Sequence, residues 1–301
     1  MKFDKHIVSA FLVFAVAATL IAGTWTGTLR AIHQQRQDTR ARVETTLSSQ
    51  AASFSEQFGR QIDAIDQALR FLASAWAQDP AHFDLAFWRQ HAVALAGLSQ
   101  DMVLAGPDGV IRQCSVGEAI GQSVTGLDYF RTLSDPDSED GLFIGPPTID
   151  GIMRQWHMNV ARALRNPDGS FAGVIDTDFR LATITQAFAA AGLGSDAFMA
   201  LIGTDDGRLR GTTGSAGIEP DTDIAATAMF KALRHSAAGI WTGVSATDAI
   251  RRIHAFRQIP GRNLMVVVAV SEDDAMAPAT VWRQDADLFA SFITILLCAI
   301  A

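Results

Sequence analysis

At 301 residues the chain is long enough for one or two domains with a sizeable core, which rules out explanations suited to tiny scaffolds. Hydrophobic residues make up 49% and charged ones 19%, with mean hydropathy +0.16, too apolar for a disordered chain and high for one that meets only water. A formal charge of -8 with no basic patch argues against a nucleic-acid face, and Cys114 and Cys298 stand too far apart for a disulfide framework or a thiolate metal site.

The first predicted element is a membrane-crossing helix. No charged residue falls between Ile7 and Leu29, and Phe11, Leu12, Phe14, Val16, Leu20 and Ile21 supply the apolarity to cross a hydrocarbon core of about 30 Å. A cleaved signal sequence is the alternative, since Lys2 and Lys5 precede the run and Ala17, Ala18 and Ala22 are small. Arg30, Arg36, Arg40 and Arg42 follow it, a count that by itself puts the body on the cytoplasmic side.

Large apolar residues then recur at Val43, Leu47, Phe54, Phe58, Ile62, Ile65, Leu69, Leu72 and Trp76, with no proline before Pro80. The steps of three, four or seven predict one long helix from Ile32 to Ala77, either a stalk with a dimer seam or a stripe packed on its own domain. A short helix is expected from Phe83 to Ala96.

Beyond it the period falls to two. Met102-Val103-Leu104, the Gly106-Pro107-Asp108-Gly109 turn and Val110-Ile111 read as strand, turn, strand. A short helix at Asp128–Leu133, a strand at Leu142–Ile149 and a hairpin of Arg154–Leu164 with Phe171–Phe179 around Asn166-Pro167-Asp168-Gly169 follow, then a helix at Leu181–Ala191. The programme restarts after Gly192: Phe198–Ile202, the Asp205-Asp206-Gly207 turn, Leu209-Arg210, a helix near Ile224–Arg234, and strands at Ile240–Val244, Ala249–Gln258 and Asn263–Val270. Element order thus predicts two α/β modules of one design in tandem on one long helix. A final apolar run, Leu288–Ala301, spans fourteen residues, short of the roughly 20 a span needs, and reads as the beginning of a second membrane segment.

The residues Asp128-Tyr129-Phe130-Arg131, Ile144-Gly145-Pro146-Pro147, Arg154 through Arg162 and above all Asn166-Pro167-Asp168-Gly169-Ser170-Phe171-Ala172-Gly173-Val174 resemble the double Cache family of bacterial extracytoplasmic sensor domains. The likeness covers Ala31–Ser271 and looks closest to sensors attached to diguanylate cyclases, phosphodiesterases and histidine kinases. It implies an α/β (α+β) fold: a long N-terminal helix, then two tandem PAS-like (Cache) modules with antiparallel sheets, flanked by transmembrane helices. The expected units are a first membrane helix at 1–30, stalk and short helix at 31–100, a membrane-distal module at 101–192, a membrane-proximal one at 193–271, and a linker helix leading into a second span at 272–301. The resemblance also implies an inner-membrane protein with residues 30–285 periplasmic, a small-molecule pocket in the distal module, a homodimer, and a cytoplasmic output domain beyond residue 301.

The candidate ligand-binding residues are Tyr129, Arg131, Arg154, Trp156, Met158, Arg162, Asp176 and Asp178. Alternation puts Arg154, Trp156, Met158, Val160 and Arg162 on one strand face, where two guanidinium forks flanking an indole suit a carboxylate. Asp176 and Asp178 share a face of the next strand and suit a ligand amine, or pin one of those arginines. Tyr129, the only tyrosine, offers an aromatic body with a polar tip. Plainer readings stand beside these: Arg162 bridged to Asp176 or Asp178 across the strands, and Trp156, Met158 and Tyr129 as core. His157 and Asn159 fall on the opposite face and are discounted. Leu127 stands where the amino-acid-binding branch of the family carries an arginine, so the ligand class stays open among organic acids, amines and amino-acid-like molecules.

No HExxH, G-x-S-x-G or phosphate-cradling loop is present, so no catalytic residue, metal or cofactor is expected. The competing function classes are a non-binding dimerisation scaffold and, less favoured, a membrane-tethered enzyme.

Overall fold

The computed structural model describes residues 5–91, 102–115, 119–137, 141–149, 156–180, 186, 188, 192–193, 196–214, 219–245 and 248–300. Helix α1 runs unbroken from Lys5 to Gln78, 74 residues and about 110 Å at 1.5 Å per residue. Its first part carries exposed apolar side chains, Phe11, Leu12, Phe14, Val16 and Leu20 among them, and is long and apolar enough to cross a membrane. Its second part buries Leu47, Ala51, Phe54, Phe58, Ile62, Ile65, Leu69 and Leu72, the stripe read from the sequence. Those side chains join one core with residues of both modules, so along this stretch the stripe packs on its own chain.

Short helix α2 (Leu85–His91) follows; the rest of the helix expected to Ala96 lies outside the described residues, as does most of Leu181–Ala191. The distal module comprises β1 (Met102–Ala105), β2 (Ile111–Cys114), α3 (Asp128–Ser134), β3 (Phe143–Ile149), β4 (Trp156–Arg165) and β5 (Phe171–Arg180). The proximal one comprises β6 (Phe198–Gly203), β7 (Leu209–Gly214), α4 (Ala228–Leu233), β8 (Ala238–Val244), β9 (Arg251–Gln258) and β10 (Leu264–Ser271). Helix α5 (Glu272–Ile300) leaves directly from β10.

The two sheets have one topology. Their strand orders are β2-β1-β5-β4-β3 and β7-β6-β10-β9-β8, and every pairing is antiparallel. The likeness extends to single hydrogen bonds. Val124 N–H donates to the Gly109 carbonyl at 2.8 Å and Ile224 N–H to Gly207 at 2.9 Å, each locking the tight turn after the first strand. Gly109 and Gly207 both hold positive φ, 71° and 66°, which a side chain would strain. The tandem repeat inferred from element order is therefore real at atomic detail.

Each sheet packs one face on α1 and the other on its own short helix. Helix α5 turns back antiparallel to α1: Trp25 Nε1 donates to Thr294 Oγ1 at 3.0 Å, and nearer the body Arg40 donates to Glu272 Oε1 at 3.1 Å. Leu288, Phe289, Phe292, Ile295 and Ile300 of α5 are exposed like their counterparts on α1, so the two apolar segments lie side by side with uncovered greasy surface.

Candidate functional site: a buried acidic cluster in the distal module

The site is set by one extra residue. Arg165 pairs with Phe171 at the end of the β4–β5 hairpin, but Leu164 pairs with Gly173, leaving Ala172 as a bulge. Gly173 adopts φ +143°, and a Cβ there would stand 2.1 Å from the Ala105 carbonyl oxygen, so only glycine fits. A one-residue shift turns every later side chain to the other face. Ala172 and Ile175 accordingly face α1, while Val174 and Asp176 face α3.

This bulge separates residues that the sequence pattern had joined. Met158, Val160 and Leu164 belong to the core on α1, with half-buried Trp156 packed against it. Arg162 also points that way, and its Nε donates to Asp66 Oδ1 of α1 at 2.5 Å. That bond ties it to α1 and not to the strand aspartates, and the described residues of the expected face, Trp156, Met158, Val160 and Arg162, turn toward the helix. Arg131 is exposed on α3 and paired with Asp128. Arg154 lies outside the described residues. Tyr129, Asp176 and Asp178 come together on the other face, joined by His157 and Asn159, the two residues discounted from the sequence.

Asp176 is the centre of the cluster. It sits between Val103 of β1 and Ala161 of β4, two small neighbours, and is 3% exposed. Asn159 Nδ2 donates to its Oδ2 at 3.1 Å, and the Tyr129 side chain faces the same carboxyl. Its Oδ1 is buried with no partner among the described residues. Asp178, across from Asn159, has His157 Nε2 3.6 Å from its Oδ1, and that ring nitrogen also lies 3.2 Å from Thr148 Oγ1.

Burial and then the neighbouring Asp178 charge push the Asp176 carboxyl up to about 8, against the opposing effect of the Asn159 and Tyr129 side chains. The Tyr129 phenol is raised too, by burial first and then by the two aspartates, and stays protonated. No cation contributes to the field at Asp176 among the described residues. A desolvated carboxyl with one empty acceptor and an acidic neighbour is chemically a receptor for a positively charged hydrogen-bond donor.

The proximal module shows what the same scaffold looks like when filled. By register the counterparts of Val103, Ala161 and Asp176 are Ala200, Phe256 and Val267, and those of Asn159 and Asp178 are His254 and Ala269. Phe256 stands where the distal module has Ala161, with Phe198, Phe230 and Met265 in the same core. His254 stacks against Phe198 and Trp241, and burial pushes its ring down to about 4, so it stays neutral. Arg252, fully buried, is held by both oxygens of Asp248 at 2.8 and 2.6 Å and by the Asp196 carbonyl at 3.0 Å.

No family model and no curated protein matches the chain. Solved structures do. The extracellular domain of rpHK1S-Z16, a protein named as a histidine kinase, is similar over 78% of this chain and 97% of its own, at 25% identity and TM-score 0.70. The ligand-binding domain of Mlp24 with asparagine is similar over 82% of this chain and 99% of its own, at 14% identity and TM-score 0.60. The ligand-binding domain of the Pseudomonas aeruginosa PAO1 amino acid chemoreceptor PctC, in complex with GABA, is similar over 76% of this chain and 100% of its own, at 15% identity and TM-score 0.57. With the repeated sheet order on one long helix, this chain has the double Cache fold of extracellular ligand-binding sensor domains.

Proposed function

We propose that the chain is a membrane-anchored, extracytoplasmic sensory input domain that binds a small organic cation, an amine, in its distal module. The observation that carries this reading is the unpartnered, buried Oδ1 of Asp176 beside Asp178. An ammonium group there satisfies the empty acceptor of Asp176 in a low-dielectric site, where a buried polar atom without a partner is costly. Asn159 holds the other oxygen, Oδ2, of the Asp176 carboxyl. Amino-acid ligands, such as the asparagine and L-serine of two structural neighbours, present the same ammonium. They also present a carboxylate, and Leu127, exposed at the N-cap of α3, gives it no partner. Among the described residues the unsatisfied group at this site is the Asp176 acceptor, so the amine is the part of such a ligand that the site matches.

In this reading residues 30–285 lie outside the cytoplasm, α1 crosses the inner membrane, the apolar end of α5 enters it beside α1, and the body works as a homodimer. Ligand-dependent packing of the sheets on α1 then alters the setting of α5, which leaves β10 without a linker and leads to an output domain of cyclic-di-GMP or histidine-kinase type.

The test is a thermal-shift screen of the full chain in lipid nanodiscs against small amines, carboxylates, amino acids and purines, because binding to the native state raises its apparent stability. An amine hit that Asp176→Asn removes supports the reading. A carboxylate hit, or a blank screen on a well-folded protein, sinks it and favours another ligand class or the scaffold alternative.

A further inference from the structure

On α1, the stretch Ser55–Asp66 touches both modules. Ser55 Oγ donates to the Gln258 carbonyl at the end of β9, and Phe58 meets Phe179 of β5 edge to face at 6.5 Å. At its end stands Asp66, 5% exposed, in phase with the apolar stripe between Ile62 and Leu69. Oδ1 accepts from Arg162 of the distal sheet at 2.5 Å. Oδ2 lies 3.5 Å from the Arg262 guanidinium, in the proximal β9–β10 turn, and 3.3 Å from exposed Arg70. Arg262 is also held by Asp63 at 2.8 Å. Burial pushes the Asp66 carboxyl up, but Arg162 and Arg70 outweigh it and keep it ionised below its ordinary range.

We propose that Asp66 is the joint that couples the two modules: one buried carboxylate shared by an arginine from each, through which a displacement of β4 is felt at the β9–β10 turn. Arg162 follows Ala161, which flanks Asp176, so the strand that lines the pocket on one face grips the helix on the other. Arg162 and Arg262 are partly redundant partners of one anion. Losing either leaves the other to neutralise it, whereas losing both strands a buried charge with only the solvated Arg70. That redundancy is an energetic link between two residues in different modules, which is what coupling means in measurable terms. Its use as a signal route rests on the sensor reading above; the link itself needs no ligand and is tested without one.

The experiment is a mutant cycle on the full chain in nanodiscs, read as unfolding rate by proteolysis, with Arg162→Met, Arg262→Met, the pair, and all three repeated with Asp66→Asn. With Asp66 present, the pair unfolds at least tenfold faster than the product of the single effects. With Asp66→Asn the effects multiply to within about twofold. If the pair fails to fold, Asp66→Asn restores a folded chain, since it removes the stranded charge. Multiplicative effects with Asp66 present, the same excess with Asp66→Asn, or no rescue would each overturn the proposal, whatever the outcome of the ligand screen.

Discussion

Asp176→Asn is expected to change how stability depends on pH. The Asp176 carboxyl, raised from 3.8 to about 8, holds its proton in the folded chain across a range in which the unfolded chain has released it. The folded state therefore binds more protons between pH 4 and 8, so stability is greatest at the acid end, falls as pH rises and levels off above about 8. The charged and titratable groups facing it are Asp178 from the same strand, Tyr129 from α3 and, through Asp178, His157 from β4, so the titrating unit is the carboxylate pair. At about 1.36 kcal/mol per pKa unit, the wild type loses about 2 kcal/mol between pH 6 and 8 through this pair. The isosteric amide cannot lose that proton, so Asp176→Asn gains on the wild type by about 4–8 °C in Tm over the same interval. Thermal unfolding followed by tryptophan fluorescence in nanodiscs from pH 5 to 9 gives both curves, and their difference reads the effect of Asp176. A Tm difference constant from pH 6 to 8 would show that Asp176 is ionised in the empty site and would remove the basis for this reasoning.

Three further outcomes follow from the same geometry. Gly173→Ala forces a Cβ into the Ala105 carbonyl and disrupts β1–β5 pairing; it should cost upwards of about 3 kcal/mol and speed amide exchange at 102–105, whereas Gly169→Ala, in open space, stays near the cost of its positive φ, about 1 kcal/mol. Arg162→Met removes the 2.5 Å bond to Asp66 but leaves it Arg262 and Arg70; it should lower stability by about 1–3 kcal/mol in chemical denaturation, with less than threefold effect on the affinity of any amine found, since Arg162 faces α1 and not Asp176. Thr294→Val removes the acceptor of Trp25 within the apolar segments; it should cost about 1 kcal/mol of α1–α5 association by cross-linking between the helices, and an unchanged yield would mean that packing alone holds them.

Much of the architecture could be read from the residues because it follows from period and turn chemistry. The stripe from Leu47 to Leu72 keeps a helical phase that no strand can use, and the paired Asp-Gly turns at 108–109 and 206–207 mark the same place in both modules. The pocket face could not be read so simply. Counting back from the Asn166–Gly169 turn in an unbroken ladder puts Asp176 opposite Val160 and on the face of Arg162; the bulge at Ala172–Gly173 moves it opposite Ala161 and turns it over. A glycine inside an otherwise β-branched and apolar strand was the available sign of that bulge. Asp66 was legible as well: an acidic residue in phase with Ile62 and Leu69 is buried, and a buried carboxylate demands a cation. Which arginine supplies it depends on tertiary packing 96 residues away, and no local pattern encodes that.

The most direct test of the central claim, that Asp176 receives a cation, is the proton count on binding. Titration calorimetry of the full chain in nanodiscs with the strongest amine of the screen, at pH 7 in two buffers of different ionisation enthalpy, measures it. Because the empty site holds a proton near neutrality and an ammonium ion replaces it, the wild type should release close to one proton per amine bound, and Asp176→Asn should neither bind appreciably nor release one. Tight amine binding with no proton release, or equal affinity in the variant, would contradict the account.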